Sequence, residues 1–163
     1  MRAILIVLLG LLIREGFNHL TGLKAASDDQ RLVEELAKAG NLTLTVNKSQ
    51  YKIGEPLNLS FSVSQSMFVR IVIINALGKI ETLFPNEFQK ESYCFAGQEY
   101  HIPPQGSDYT IAVGGPVGTD KIRGIGSPHF IPEQSLVFTP QGQFDPVKMA
   151  TYKVRAALEY RVN

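Results

Sequence analysis

Cysteine is nearly absent from this sequence. Cys94 stands alone, so no disulfide can close within the chain and no zinc site can be built on paired cysteines. An excess of charge is missing too. Lys and Arg number 16 against 15 Asp and Glu, a formal net charge of +1, and the basic residues neither cluster nor interleave with aromatics. That balance leaves nucleic-acid binding without an electrostatic basis. The three histidines, His19, His101 and His129, lack the i, i+4 partner that zinc enzymes place on a helix. The N-terminal apolar run, Ala3 to Ile13, falls short of the roughly 20 residues that cross a bilayer. There is no Gly-x-Ser-x-Gly elbow, no repeat period and no low-complexity tract.

What is present is apolar and alternating. Hydrophobic residues make up 44% of the 163, enough for a sizeable core and too many for a disordered chain. Arg2 precedes the apolar run 3–13, whose length suits the about 7–15 residues of a secretory h-region. Lys24, Ala25 and Ala26 supply small residues that can precede a cut, although Arg14 and Glu15 interrupt the segment. Residues 1–26 are therefore expected to be a signal peptide or an uncleaved anchor. The alternatives are an apolar helix packed on the domain and a partner-binding helix. No cysteine follows to carry a lipid.

Residues 27–40 read as a short amphipathic helix. Ser27 is an N-cap with Gln30 three residues on, Asp28 and Asp29 occupy the first turn, and Gly40 suits the left-handed stop. After Gly40 the period becomes two. Leu42, Leu44 and Val46 alternate with Thr43 and Thr45; Leu57, Leu59, Phe61 and Val63 alternate with Asn58, Ser60, Ser62 and Ser64. Each is a strand with one wet face. "MFVRIVIINA" reads as a central strand, with "IETLF" returning after a turn at 77–79. "QEYHIP" and "DYTIAV" follow as strands. "TDKIRGIGS" reads as a strand broken by Gly124 and Gly126, residues 127–148 as a long loop, and "TYKVRAALEYRVN" as a closing strand. The expected fold is all-β: an antiparallel β-sandwich, immunoglobulin-like or similar, over residues 41–163.

Chemistry is sparse. Cys94 lies between Tyr93 and Phe95 and reads as a buried, inert thiol, with His101 as the conceivable base seven residues on. His101 reads as a half-exposed sheet residue and His129 as a loop residue. "GGPVGTDK" lacks the Walker spacing and the following helix, so it reads as a turn. The sequons at Asn41, Asn47 and Asn58 are what strands rich in Asn, Ser and Thr yield by chance. "TLFPNEF" is the one stretch with a choice to make. Pro85 fixes its own φ and pushes Phe84 toward an extended form, and Asn86 can bond its own backbone. A structural corner is the main expectation. A partner contact by Phe84, Pro85, Asn86, Glu87 and Phe88 is the alternative.

Taken in order, several motifs carry a resemblance. Tyr51, Gly54 and Glu55 form a Tyr-x-x-Gly-Glu turn, and Phe68 to Gly78 form a strand ending at a glycine turn. Leu83, Phe84, Pro85 and Asn86 follow, then Ala96 and Gly97 before a strand ending at Pro103, then Pro116 and Gly118. Over residues about 45–127 the sequence resembles the bacterial domain-of-unknown-function family numbered 4384. The resemblance implies a non-catalytic β-domain, often appended to caspase-like peptidases, protein kinases or envelope assembly proteins, with no catalytic residues to carry over. In 163 residues the expectation is that domain without an attached enzyme.

The functional expectation is a non-enzymatic binding or scaffold module with a protein partner and no cofactor, metal or nucleic acid. It would be periplasmic or secreted, with residues 3–13 as a candidate membrane tether. The rival expectation is a small ligand-binding protein or enzyme with a site near Asn86, Cys94 and the 127–148 loop.

Overall fold

A computed structural model describes residues 40–133, 138–139, 141–145, 152 and 154–163. The described residues all belong to one compact unit, Leu36–Asn163. The expected signal or anchor segment, 1–26, and the expected helix up to residue 39 lie outside the described residues. No helix among the described residues is long and apolar enough to cross a membrane.

Every regular element among the described residues is a strand. They are β1 (Leu42–Val46), β2 (Gln50–Tyr51), β3 (Pro56–Leu57), β4 (Leu59–Val63), β5 (Met67–Ile74), β6 (Ile80–Phe84), β7 (Tyr93–Cys94), β8 (Glu99–Ile102), β9 (Ile111–Ala112), β10 (Gly118–Ser127) and β11 (Val154–Val162). The all-β expectation holds.

Alternation becomes layering. β1, β4 and β8 form an antiparallel sheet in that order, with Leu44 opposite Phe61 and Phe61 opposite Tyr100. Leu42, Leu59, Phe61, Val63 and Ile102 are buried from one face of this sheet. Thr43, Thr45, Ser60, Ser62, Glu99 and His101 occupy the alternate positions and face outward. The larger sheet runs β2-β11-β10-β5-β6, with β7 also paired to β5. Its Val69, Ile71, Ile122, Val154 and Val162 join the same core as the smaller sheet. At the centre, Phe61 lies 5.0 Å from Phe84 and stacks on Tyr100 at 5.1 Å, centroid to centroid. A short β3-β9 pair stands apart.

Three details correct the sequence expectation. The larger sheet is mixed, because β2 pairs with β11 in parallel. Tyr51 of β2 is buried edge-on against Tyr160 of β11, centroids 4.8 Å apart, and that burial brings the two distant strands side by side. β10 is not broken by its glycines; it pairs continuously with β11 from Gly118 to Gly126. A Cβ on Gly124 would sit 2.7 Å from Leu42 Cδ2, so this glycine lets the two sheets approach rather than ending the strand. The expected strand at "DYTIAV" shrinks to Ile111–Ala112, which pairs with β3.

The other face of the large sheet is covered. Val72, Ile74 and Ile125 are buried with Ile131 and Phe138 from the excursion after β10, where Phe138 bridges Phe144. Arg123 fastens part of that excursion. Its Nε donates to Gly142 O at 2.8 Å, Nη1 to Ile122 O and Leu158 O, each at 3.1 Å, and Nη2 to Glu159 Oε1 at 2.7 Å.

One buried acid stands out. Asp120 of β10 is almost wholly enclosed and accepts a hydrogen bond from Tyr160 Oη at 3.1 Å, while its Oδ1 has no partner. Burial pushes the Asp120 carboxyl above the ordinary Asp value, against the opposing contacts with the Tyr160 hydroxyl and the Ala76 backbone. Burial also raises the Tyr160 phenol, which therefore stays a donor at neutral pH. A carboxyl raised in the folded state makes stability highest below its unfolded pKa of about 3.9, and that stability is lost as pH rises through the folded value. Asp120→Asn is expected to abolish this fall. The variant's midpoint relative to the native chain should rise between acid and neutral pH, as read from thermal melts across that range.

Candidate functional site

The "LFPN" segment is a corner built to be rigid. β6 delivers Leu83 and Phe84 into the core, where both are buried. The Phe84–Pro85 peptide is cis. Asn86 then engages both ends of its amide locally. Its Nδ2 donates to Leu83 O at 2.8 Å, and its Oδ1 accepts from Phe88 N at 2.9 Å and Gln89 N at 2.8 Å. An Asn in this position supplies the bonds a backbone turn would otherwise lack. Of the five residues expected to meet a partner, Phe84 is inside and Asn86 is occupied by its own turn. Glu87 and Phe88 present exposed side chains.

The corner is tied to its neighbours. Gln89 Nε2 donates to His101 O on β8 at 3.0 Å, and Tyr109 Oη donates to Gln89 Oε1 at 3.2 Å. Phe88 is 60% exposed, yet its ring stacks on Tyr109 with centroids 4.1 Å apart. An apolar ring is thus held at the surface by a tyrosine that is itself held by hydrogen bonding.

Tyr109 also lines a cleft that sequence reasoning missed. The cleft has a volume of about 480 Å³ and lies over the outward face of the smaller sheet. Its floor is a row across three strands, Thr45 opposite Ser60 and Ser60 opposite His101. The segment from Pro103 to Ser107 forms a wall. His101 Nε2 lies 3.1 Å from Gln105 Nε2, an arrangement satisfied when the imidazole nitrogen accepts from the amide. No Asp, Glu, Lys or Arg lines the cleft. The polar half of each strand's alternation was visible in the sequence; the strand order that aligns Thr45, Ser60 and His101 was not.

The remaining expected residues scatter. Cys94 is buried in β7, paired to β5 of the large sheet, while His101 sits in the small one. Burial pushes the Cys94 thiol up to about 12, helped by the nearby negative charge of Glu91, and its Sγ lies 3.7 Å from Ser92 O. A nucleophilic thiol needs the opposite shift. Cys94 in the folded chain is expected to react with a maleimide or disulfide reagent at pH 8 at least ~100-fold more slowly than in denaturant, because access requires opening of the fold. Labelling at the unfolded rate without denaturant would contradict this placement. His129 is exposed, its amide donating to Ser127 Oγ at 3.0 Å. The "GGPVG" stretch leads into β10 and not into a helix, so no helix N-terminus stands behind it to receive a phosphate. Asn47, one of the sequon residues, accepts a hydrogen bond from Tyr51 Oη at 2.6 Å. Among the described residues no group of three or more His, Cys, Asp or Glu side chains could hold a metal ion.

Comparison with known proteins adds one match. The family model described as "Domain of unknown function (DUF4384)" matches residues 50–129. The matched span runs from β2 to just past β10 and contains both the corner and most of the cleft. No curated protein matches the chain.

Proposed function

We propose, from the premise that residues 50–129 place this chain in the DUF4384 family, that it is a non-catalytic binding or scaffold module for a protein partner. The observation that carries the reading is Phe88. A large apolar ring that is 60% exposed costs solvation in a lone chain, yet this one is fixed in place by Tyr109, Gln89 and the Asn86 turn. Interface anchors have this character: an aromatic side chain whose ordering cost is met before the partner arrives. Glu87 beside it supplies a polar rim. In this reading the two sheets closed on one core form an immunoglobulin-like sandwich, and the corner is one of its presenting loops. The apolar run 3–13 with Arg2 before it supports an envelope-associated or secreted setting, with that run as export signal or tether.

The test is site-specific crosslinking in the cell that makes the protein. A photoreactive phenylalanine analogue at position 88 is expected to trap a discrete protein adduct. The same analogue at Leu77, in the exposed turn between β5 and β6, is expected to trap none. Equal adducts at both positions, or none at 88, would reject the corner as a partner contact.

A further inference from the structure

We infer that the cleft on the outward face of the β1-β4-β8 sheet binds an uncharged saccharide. The cleft is a different surface from the Phe88 corner of the protein-partner reading, and the two share only the Phe88–Tyr109 stack. The first argument is charge. The cleft has no Asp, Glu, Lys or Arg in its lining, and its one histidine, His101, already has Glu99 Oε2 3.8 Å from its Nε2, so no uncommitted charge there would compensate a phosphate, carboxylate or ammonium group brought out of water. A ligand that fills it is neutral.

The second argument is the kind of hydrogen bonding on offer. The floor is a sheet face: β4 at its centre is paired on both sides, and the free edges of β1 and β8 present their main-chain groups sideways, in the plane of the sheet and not up from the floor. The main-chain groups of β4 are spent in the ladders, so a ligand resting on the floor meets side chains. A peptide docking as a strand needs free main-chain donors and acceptors, which lie at a sheet edge. What the floor presents are hydroxyls and amides. No protein hydrogen bond engages the Thr45 or Ser60 hydroxyl among the described residues. Gln105 uses one amide hydrogen on His101, leaving its carbonyl oxygen to accept. Groups that both donate and accept match sugar hydroxyls, which do the same.

The third argument is the wall. Pro103, Pro104 and the ring of Tyr109 give apolar surface beside the polar floor, and a pyranose has an apolar C–H face as well as a polar rim. Tyr109 is braced from outside the cleft by Phe88, so this surface is rigid before any ligand arrives. The volume of about 480 Å³ falls among small-ligand sites, about 300–1,000 Å³.

The experiment is a titration of the ¹⁵N-labelled full chain with neutral trisaccharides built on glucose, mannose, galactose and N-acetylglucosamine. A trigalacturonate serves as the anionic counterpart and a neutral extended hexapeptide as the strand-like rival. At least one neutral trisaccharide is expected to shift the amides of Thr45, Ser60, His101 and Gln105 with half-saturation near ~1 mM. The midpoint should change less than about twofold at 0.5 M NaCl, since no charge pair is involved. Ser60→Phe, which fills the floor, is expected to weaken binding at least ~10-fold, a loss of about 1.4 kcal/mol. His101→Ala, a milder change at the same row, should weaken it too. In both variants unchanged shifts at Ile71 and Ile122 report an intact core. The inference is overturned if no neutral trisaccharide shifts these amides at about 20 mM. Trigalacturonate or the hexapeptide binding as tightly, or full binding by folded Ser60→Phe, would overturn it equally.

Discussion

Phe84→Ala is expected to cost about 3–5 kcal/mol of folding free energy, the range for emptying a buried aromatic site. Phe84 is 2% exposed, packs on Phe61 at 5.0 Å, and ends the strand from which the "LFPN" corner departs. Phe61 in turn stacks on Tyr100, so the vacancy would open beside two rings that have little room to collapse into it. Urea unfolding followed by far-UV circular dichroism reads the loss directly. Phe84→Leu, which keeps most of the volume, is expected to recover more than half of it. A loss below about 1 kcal/mol for the alanine variant would mean that the ring is not in the core. The corner should respond as well. With its anchor gone, the Asn86 turn has less to hold it against β5, and protection of the Gln89 amide from hydrogen exchange should fall further than that of Ile122.

Arg123→Ala should come next in size, at about 2–4 kcal/mol. The guanidinium is nearly buried, and three of its four bonds go to carbonyls, of Gly142, Ile122 and Leu158. The fourth reaches Glu159, which is half exposed, and that ion pair contributes little on its own. The expected loss therefore arises from Gly142 O left without a donor under the excursion after β10, and from the second donor lost by the ladder carbonyls of Ile122 and Leu158. Arg123→Lys tests this account, because one ammonium cannot replace donors fanned from a planar group. It is expected to restore less than half of the loss in the same urea assay. Hydrogen exchange should rise at Thr139 and Gly142, whose turn sits under the Arg123 side chain. A lysine variant as stable as the native chain would show that charge, and not the fan of bonds, is what the site needs.

Both variants probe tertiary facts that local pattern could not contain, whereas much else was legible in the chain. Period-two alternation from Leu42 to Val63 and from Val154 to Val162 marked inner and outer faces correctly, since a strand's side chains alternate whatever it pairs with. Leu83, Phe84, Pro85 and Asn86 announced a corner, because proline and asparagine act on their own backbone. Cys94 between two aromatics read as a buried thiol, and it is one. Glycines misled where they act at a distance: Gly124 looked like a break, but what demands it is Leu42 on another strand. The same limit hid the parallel β2-β11 pair, which follows from Tyr51 and Tyr160 meeting across more than a hundred residues. It hid the cleft as well. Thr45, Ser60 and His101 each declare only that they face water. That they form one row depends on strand order and register, which are set by the packing of the whole core and written in no single segment.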